Sequence, residues 1–257
     1  DFAVLFIETS GCLPMCGHGT IGTITIAIEE GLIKPKIPGF VRMEAPAGLV
    51  EIEYRPHLPS PEGRKIGETE SKLKVKSVKL TNVPSFLAET ELTVNCPELG
   101  EIIVDVSYGG NFYAIVDVQK NFKGLEHYTA DKLISLSREL RKNINDKYEF
   151  VHPENETTTA RNAVFYGDKA IDRSPCGTGT SARMAQWYAK GLLKSGDEFI
   201  HESIIGSKFT GRIQEELTVA GKPAIRPGIE GWAKIYGQNI ITIDTDDDPY
   251  ALGFQVI

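Results

Sequence analysis

The sequence is poor in the residues that staple or metallate small proteins. It has four cysteines in 257 residues, Cys12, Cys16, Cys96 and Cys176. They are too few and too scattered for a disulfide framework. Cys12 and Cys16 have C-x3-C spacing, but no second Cys/His pair completes a zinc set. No apolar run approaches the roughly 18 residues that span a bilayer, so no membrane segment is expected. No signal peptide is visible, and the expectation is a cytoplasmic protein. An excess of positive charge is also missing. With 28 Lys and Arg against 35 Asp and Glu, the net charge is −7, which argues against nucleic acid or an anionic membrane as the main partner. A local anion site stays open, because backbone amides make one without basic side chains. What is left is an ordinary globular composition, 41% hydrophobic and 25% charged, at a length that buries one large core or two smaller ones.

One pattern occurs twice. Met15-Cys16-Gly17-His18-Gly19-Thr20 is answered by Pro175-Cys176-Gly177-Thr178-Gly179-Thr180. Each apolar segment that follows ends in Gly-Leu, with Gly31 and Gly191 both 15 positions after the Cys. Val4 and Val164 stand 12 positions before it, and Glu44 and Gly48 answer to Glu202 and Gly206 with a two-residue slip. An internal duplication explains these matches, and two related halves are expected. The boundary is drawn near Asp105, giving 1–105 with 238–257 as a half-domain carrying Cys16, and 106–237 as one carrying Cys176. The first half is expected to lack an N-terminal segment.

Comparing the copies settles an ambiguity. Thr23 to Ile28 alternates and is β-branched, so alone it suggests a strand. Its counterpart, Ser181 to Lys190, is a good helix by propensity. Both are therefore expected to be helices, closed by Gly31 and Gly191 as C-terminal caps. The first, almost free of polar residues before Glu29, should be enclosed nearly all round. Leu133, Leu136 and Leu140 mark an amphipathic helix over Thr129 to Asn145. Strands are expected at Val4 to Ile7 (a buried one), at Val41 to Tyr54 as a pair turning at Ala45 to Gly48, and at Val75 to Val83. Others fall at Glu91 to Asn95, Ile102 to Val106, Phe112 to Val118 and Ala163 to Tyr166, then near Phe199, Ile213, Trp232 to Ile235 and Ile240 to Ile243. Pro56 to Lys72 reads as an exposed loop. Many strands with one central helix per half make an α+β fold, each half a curled sheet around its helix.

A Cys at a helix start faces unpaired amides and the positive end of the helix dipole, which favour thiolate. The Gly-x-Gly that follows lets backbone approach a ligand closely. The amides of Gly17, His18, Gly177 and Thr178 then form cradles for a carboxylate. Two such starts facing each other suggest inversion at a carbon next to a carboxylate: one thiolate takes a proton and the opposing thiol returns one, without metal or pyridoxal phosphate. Fixed amide dipoles in a closed site stabilise the developing charge. Cys12 and Cys96 lack this context and read as loop or core thiols. Asp172, four before Cys176, would bind the ammonium of an amino acid. The first copy has Cys12 at that offset, so the site would be asymmetric.

These strings, with Gly109-Gly110-Asn111-Phe112, Asp172-Arg173-Ser174-Pro175 and Asp248-Pro249-Tyr250, resemble the proline racemase and hydroxyproline epimerase family over nearly the whole chain. The resemblance implies a diaminopimelate-epimerase-like fold of two pseudo-symmetric halves, mostly antiparallel, with the site in the cleft between them. It implies Cys16 and Cys176 as acid and base, Gly17, His18, Gly177 and Thr178 against the substrate carboxylate, Asp172 at the ring nitrogen, and no cofactor. Dehydratases of the family typically carry Thr at the second Cys, which Cys176 argues against. Tyr166 stands where proline racemases usually have Phe, and its hydroxyl is expected to meet a substrate 4-hydroxyl. Ala160 to Gly167 looks most like bacterial 4-hydroxyproline epimerases. A longer stretch that relatives usually carry before Arg161, with a substrate-contacting histidine, has no counterpart. The expected activity interconverts trans-4-hydroxy-L-proline and cis-4-hydroxy-D-proline. Proline racemase is the alternative, and a non-catalytic amino-acid-binding protein a third reading. The partner is then a small amino acid, and a homodimer is left open.

Overall fold

The structure, a computed structural model, describes residues 1–8, 11–57, 73–159, 165–166, 170–240, 243 and 245–251. Its frame is a ten-stranded sheet of β1 (Phe2–Ala3), β4 (Phe40–Ala45), β5 (Gly48–His57), β6 (Lys74–Thr81), β7 (Ser85–Cys96), β8 (Gly100–Tyr108), β9 (Phe112–Ile115), β14 (Phe199–Glu202), β15 (Lys208–Val219) and β16 (Lys222–Gly231). Only β1 with β4 is a parallel pair in it. Two-stranded ribbons are made by β2 (Phe6–Glu8) with β3 (Gly11–Leu13), by β10 (Val151–His152) with β11 (Asn155–Thr159), and by β12 (Phe165–Tyr166) with β13 (Ala170–Ile171).

β16 organises the sheet. One of its edges pairs with β15 along its length. The other takes β6 at Gly228 to Gly231 and β7 at Ala224 and Ile225. Two arms, β1-β4-β5-β6 and β7-β8-β9, therefore branch from one strand. They part at Asn82, whose amide N–H donates to the Pro227 carbonyl at 2.8 Å. The boundary expected after residue 105 falls inside β8.

The helices α1 (Gly17–Glu29) and α3 (Gly177–Ala189) are the central ones, with α2 (Ala130–Lys147) on the second arm. β-branched residues are mediocre helix formers, so α1 owes its form to burial. Ile21, Ile24 and Ile28 go into a core with Met43, Ile52, Leu80 and Ile229. Thr25 and Thr20 return their hydroxyls to the Ile21 and Cys16 carbonyls, both at 2.8 Å, so they are buried without an orphaned group. Both helices end alike: Gly31 and Gly191 have φ of 67° and 72°, and Leu32 and Leu192 donate back to Ala27 and Trp187 at 2.9 and 2.8 Å. In α2, Thr129 caps the Lys132 amide, and Leu133, Leu136 and Ile144 cover β7 and β8 through Val94, Ile102 and Val104.

Several expectations need correction. α1 is not enclosed all round: Ile26 is 47% exposed. Val4 to Ile7 is not a buried strand. The chain leaves the sheet after β1, and alternation turns Leu5 and Ile7 to solvent while Val4 and Phe6 pack inward. Trp232 to Ile235 has no strand, because pairing along β16 stops at Gly231 and Trp232 lies exposed. The loop expected up to Lys72 lies outside the described residues from 58 onward, as do residues 241–242 of the expected last strand.

Candidate active site

The two Cys-Gly-x-Gly-Thr copies meet backbone to backbone. A Cβ built on Gly17 would lie 2.5 Å from the Gly177 Cα, and one on Gly177 would lie 2.6 Å from the Gly17 Cα. Only glycine at both positions allows this approach, and it brings the N-termini of α1 and α3 together. Cys16 and Cys176 are the N-cap residues of these helices. Thr20 and Thr180 each donate their amide to the carbonyl of the Cys four residues before. The first-turn amides of Gly17, His18, Gly177 and Thr178 belong to the set without intrahelical partners.

The copies differ in detail. Cys16 has extended backbone, φ −138° and ψ 109°, and makes no side-chain cap bond. Cys176 has φ 62° and ψ 110°, a region sparsely used by residues with a Cβ, which costs on the order of 1–3 kcal/mol. Its Sγ accepts from the Gly179 amide at 3.4 Å. Cys176 is buried and Cys16 half-buried. Burial pushes the Cys176 thiol up, the Asp172 charge adds to this, and bonds from Tyr113, Thr178 and Gly179 oppose it. The expectation that the helix dipole lowers both thiols therefore fails for Cys176, where loss of solvent outweighs it.

His18 bridges the two motifs. Its Nδ1 lies 3.0 Å from Asp172 Oδ2 and 3.2 Å from Ser174 Oγ. The bond to Asp172, then one to Cys16, raise its pKa to about 11, so the ring is an imidazolium beside Cys16. Asp172 is buried, which favours the neutral acid. The His18 and Ser174 bonds nonetheless hold its carboxyl below the usual range. Its other oxygen accepts from the Ser174 amide at 2.8 Å, and Ser174 Oγ accepts from the Cys176 amide at 3.0 Å.

The turn between β8 and β9 reaches the same point. A Cβ on Gly109 would lie 2.2 Å from the Thr178 carbonyl oxygen, so this turn rests on the first turn of α3. Asn111 Nδ2 donates to the Met15 carbonyl at 3.1 Å and to Thr178 Oγ1 at 3.4 Å. Tyr113 places its hydroxyl 2.5 Å from Thr178 Oγ1 and 3.3 Å from Cys176 Sγ. A cavity of about 550 Å³ adjoins Asp172, Ser174 and Pro175 on the side towards α2.

A family model described as proline racemase matches residues 1–255. The chain belongs to the proline racemase family. Relatives named 4-hydroxyproline 2-epimerase from Spirosoma linguale and 4-hydroxyproline epimerase from Brucella ovis are 60% and 57% identical to it; each match covers 100% of this chain and 78% of the relative. The fold is similar to that of a hydroxyproline epimerase from Agrobacterium vitis crystallised with trans-4-hydroxy-L-proline, at TM-score 0.80 and 32% identity over 99% of this chain and 74% of that one. A probable proline racemase from Agrobacterium radiobacter with bound carbonate gives TM-score 0.80 and 33% identity, over 99% and 75%. The α+β, diaminopimelate-epimerase-like fold expected of the family is the fold observed.

Of the expected site residues, Cys16, Gly17, His18, Asp172, Cys176, Gly177 and Thr178 lie together. Tyr166 is in β12, opposite Ala170, and its side chain lies outside the described residues. Cys12 is exposed and Cys96 buried under α2. Sequence reasoning passed over Ser174, Asn111 and Tyr113 as site residues, although the first two stand in strings already noticed. Tyr113 carried only a faint signal, one residue beyond Gly109 to Phe112. Among the described residues no cluster of His, Cys, Asp or Glu suits a metal, and no helix is long and apolar enough to cross a membrane.

Proposed function

We propose that this chain is a cofactor-independent isomerase that inverts the α-carbon of 4-hydroxyproline, interconverting trans-4-hydroxy-L-proline and cis-4-hydroxy-D-proline. The observation that carries the reading is the Gly17–Gly177 contact, because it seats two Cys-capped helix starts against each other. The names of the 60% and 57% identical relatives support the substrate.

The substrate carboxylate sits against the first-turn amides of α1 and α3, at Gly17, His18, Gly177 and Thr178, where the helix dipoles favour an anion. Negative charge develops there as the α-proton leaves, and loss of one such donor in other enzymes costs ~10²–10³ in rate. Asp172 remains anionic and faces the ring ammonium. Cys16, beside the His18 cation, takes the proton from one face. Cys176, kept as thiol by burial, gives a proton to the other face. The reverse reaction exchanges their roles. Tyr166 is assigned to the 4-hydroxyl. A site built to bond a hydroxyl rejects the analogue lacking it, which separates this reading from a proline racemase.

The two motifs are read as copies of one ancestral unit. Residues 1–105 with 238–257, and 106–237, are taken as the two half-domains that descend from it, with β16 of the second paired to β6 and β7 of the first. In deuterated water, without added cofactor, the protein should exchange the α-hydrogen of 4-hydroxyproline, and of proline far more slowly. Cys16→Ser and Cys176→Ser should each abolish inversion. Absence of exchange with both substrates, or full activity in either variant, would refute the two-thiol mechanism.

A further inference from the structure

The two thiols are supported by different chemistry, and the support of Cys176 comes from a strand. β9 presents alternate residues to α3. Tyr113 and Ile115 cluster with Cys176 and Ala182, while Phe112 packs the other way with Val83 and Phe86. Across the ladder Tyr113 stands opposite Ser107, whose hydroxyl is bonded to the Ala182 carbonyl at 2.8 Å. The buried ring is thus held between strand and helix, with its hydroxyl aimed at the N-cap of α3.

Asn111 sets the direction of the first hydrogen bond. Its bond to the Met15 carbonyl identifies the amide end that carries hydrogens, and that nitrogen only donates. Thr178 Oγ1 accepts from it, and of the two neighbours open to its own hydrogen, the Tyr113 oxygen at 2.5 Å and the Cys176 sulfur at 3.6 Å, the nearer oxygen is the better acceptor. The Tyr113 hydrogen is then left for the Cys176 sulfur, 3.3 Å away.

We propose that Asn111, Thr178 and Tyr113 form a hydrogen-bond relay ending on Cys176, with Tyr113 as the positioning residue that donates to the sulfur whenever its proton has left. The inference deepens the two-thiol reading and rests on it. Burial, the largest influence on Cys176, opposes its ionisation, and the Asp172 charge opposes it too. Tyr113 is the first of the contacts set against them. Burial also holds the phenol protonated well above its ordinary range, so Tyr113 remains a donor at every working pH. Cys16 has the His18 cation instead. Cys176 is met by a relay of neutral groups, in which each bond polarises the next.

Tyr113→Phe keeps the ring and removes the donor. Alkylation of Cys176 by iodoacetamide, read on its own peptide by mass spectrometry, should have its pH profile displaced upward by about one unit, roughly tenfold in rate at fixed pH. kcat/KM should fall by about the same factor in both directions, since their ratio is set by the equilibrium constant, and its pH profile should move the same way. Superimposable profiles would overturn the proposal. So would an equal loss at every pH with a lowered Tm, which marks packing alone. The alkylation needs no substrate, so it stands apart from the wild-type exchange experiment that tests the function itself.

Discussion

A methyl group at Gly17 would put a carbon 2.5 Å from the Gly177 Cα, 3.1 Å from its carbonyl carbon and 3.2 Å from its nitrogen. All three are backbone atoms of the facing helix, so no side chain can swing aside. Ordinary carbon contacts begin near 3.5 Å, so the helix starts must part by about 1 Å. Overpacking of this kind typically costs about 1–3 kcal/mol, and alanine's better helix propensity offsets at most about 1. Gly17→Ala should therefore lose about 1 kcal/mol net, a fall in Tm of about 2–4 °C for a chain of this size. The effect on rate is far larger, because a displacement of about 1 Å at a reacting centre costs on the order of 10²-fold. Polarimetry on 4-hydroxyproline should show kcat/KM reduced about 100-fold. Gly22→Ala is the control: it lies in the same helix with nothing within 4 Å of an added Cβ. It should raise stability by about 0.5–1 kcal/mol and leave activity intact. Gly17→Ala with kcat/KM within twofold of wild type would refute the argument that the glycine contact sets the separation of the two thiols.

His18 and Asp172 give a pH dependence whose sign is determined. The raised His18 pKa contributes stability that is whole below its ordinary 6.5 and is lost as pH rises through about 11; the lowered Asp172 pKa contributes stability that is lost on acidification below the ordinary 3.8. The deficit of His18→Gln against wild type should thus be largest near pH 5–6 and shrink by pH 10. Urea unfolding at both ends would expose the reasoning as wrong if the gap were constant. Asn82 is fully buried and holds the Gly109 carbonyl and the Ser181 hydroxyl at 2.9 and 2.8 Å. Asn82→Ala should cost about 1–3 kcal/mol by leaving the Gly109 carbonyl without its donor, while Ser181 keeps its bond to the Gly177 carbonyl at 2.9 Å, with kcat/KM reduced as the Gly109 turn loosens. A denaturation midpoint equal to wild type would count against this.

Legibility in the sequence followed the range of the interaction. The Gly caps of α1 and α3, the leucine spacing of α2 and the turn from β4 to β5 depend on residues within one or two turns of each other, and all were readable. The Val4 to Ile7 run and Trp232 to Ile235 were misread. Whether an apolar stretch is buried on both faces, or finds a pairing partner, depends on strands elsewhere in the chain. α1 lies between these cases. Its own residues favour a strand, and only the second copy pointed to a helix.

The sequence by itself determined that two thiols stand at glycine-rich helix starts, because a repeated motif with matched spacing needs no knowledge of the third dimension. It also named His18 and Asp172, without showing that they bind each other. Only the tertiary structure decided that Gly17 and Gly177 touch, that Cys176 is buried with positive φ while Cys16 is extended, and that β9 brings Tyr113 to the second sulfur. These depend on contacts between residues 63 to 160 positions apart. Burial there reverses the ionisation that the helix dipole alone would favour at Cys176. The duplicated sequence made two similar helix starts, and their different surroundings left one thiol half-buried on extended backbone and the other buried at positive φ.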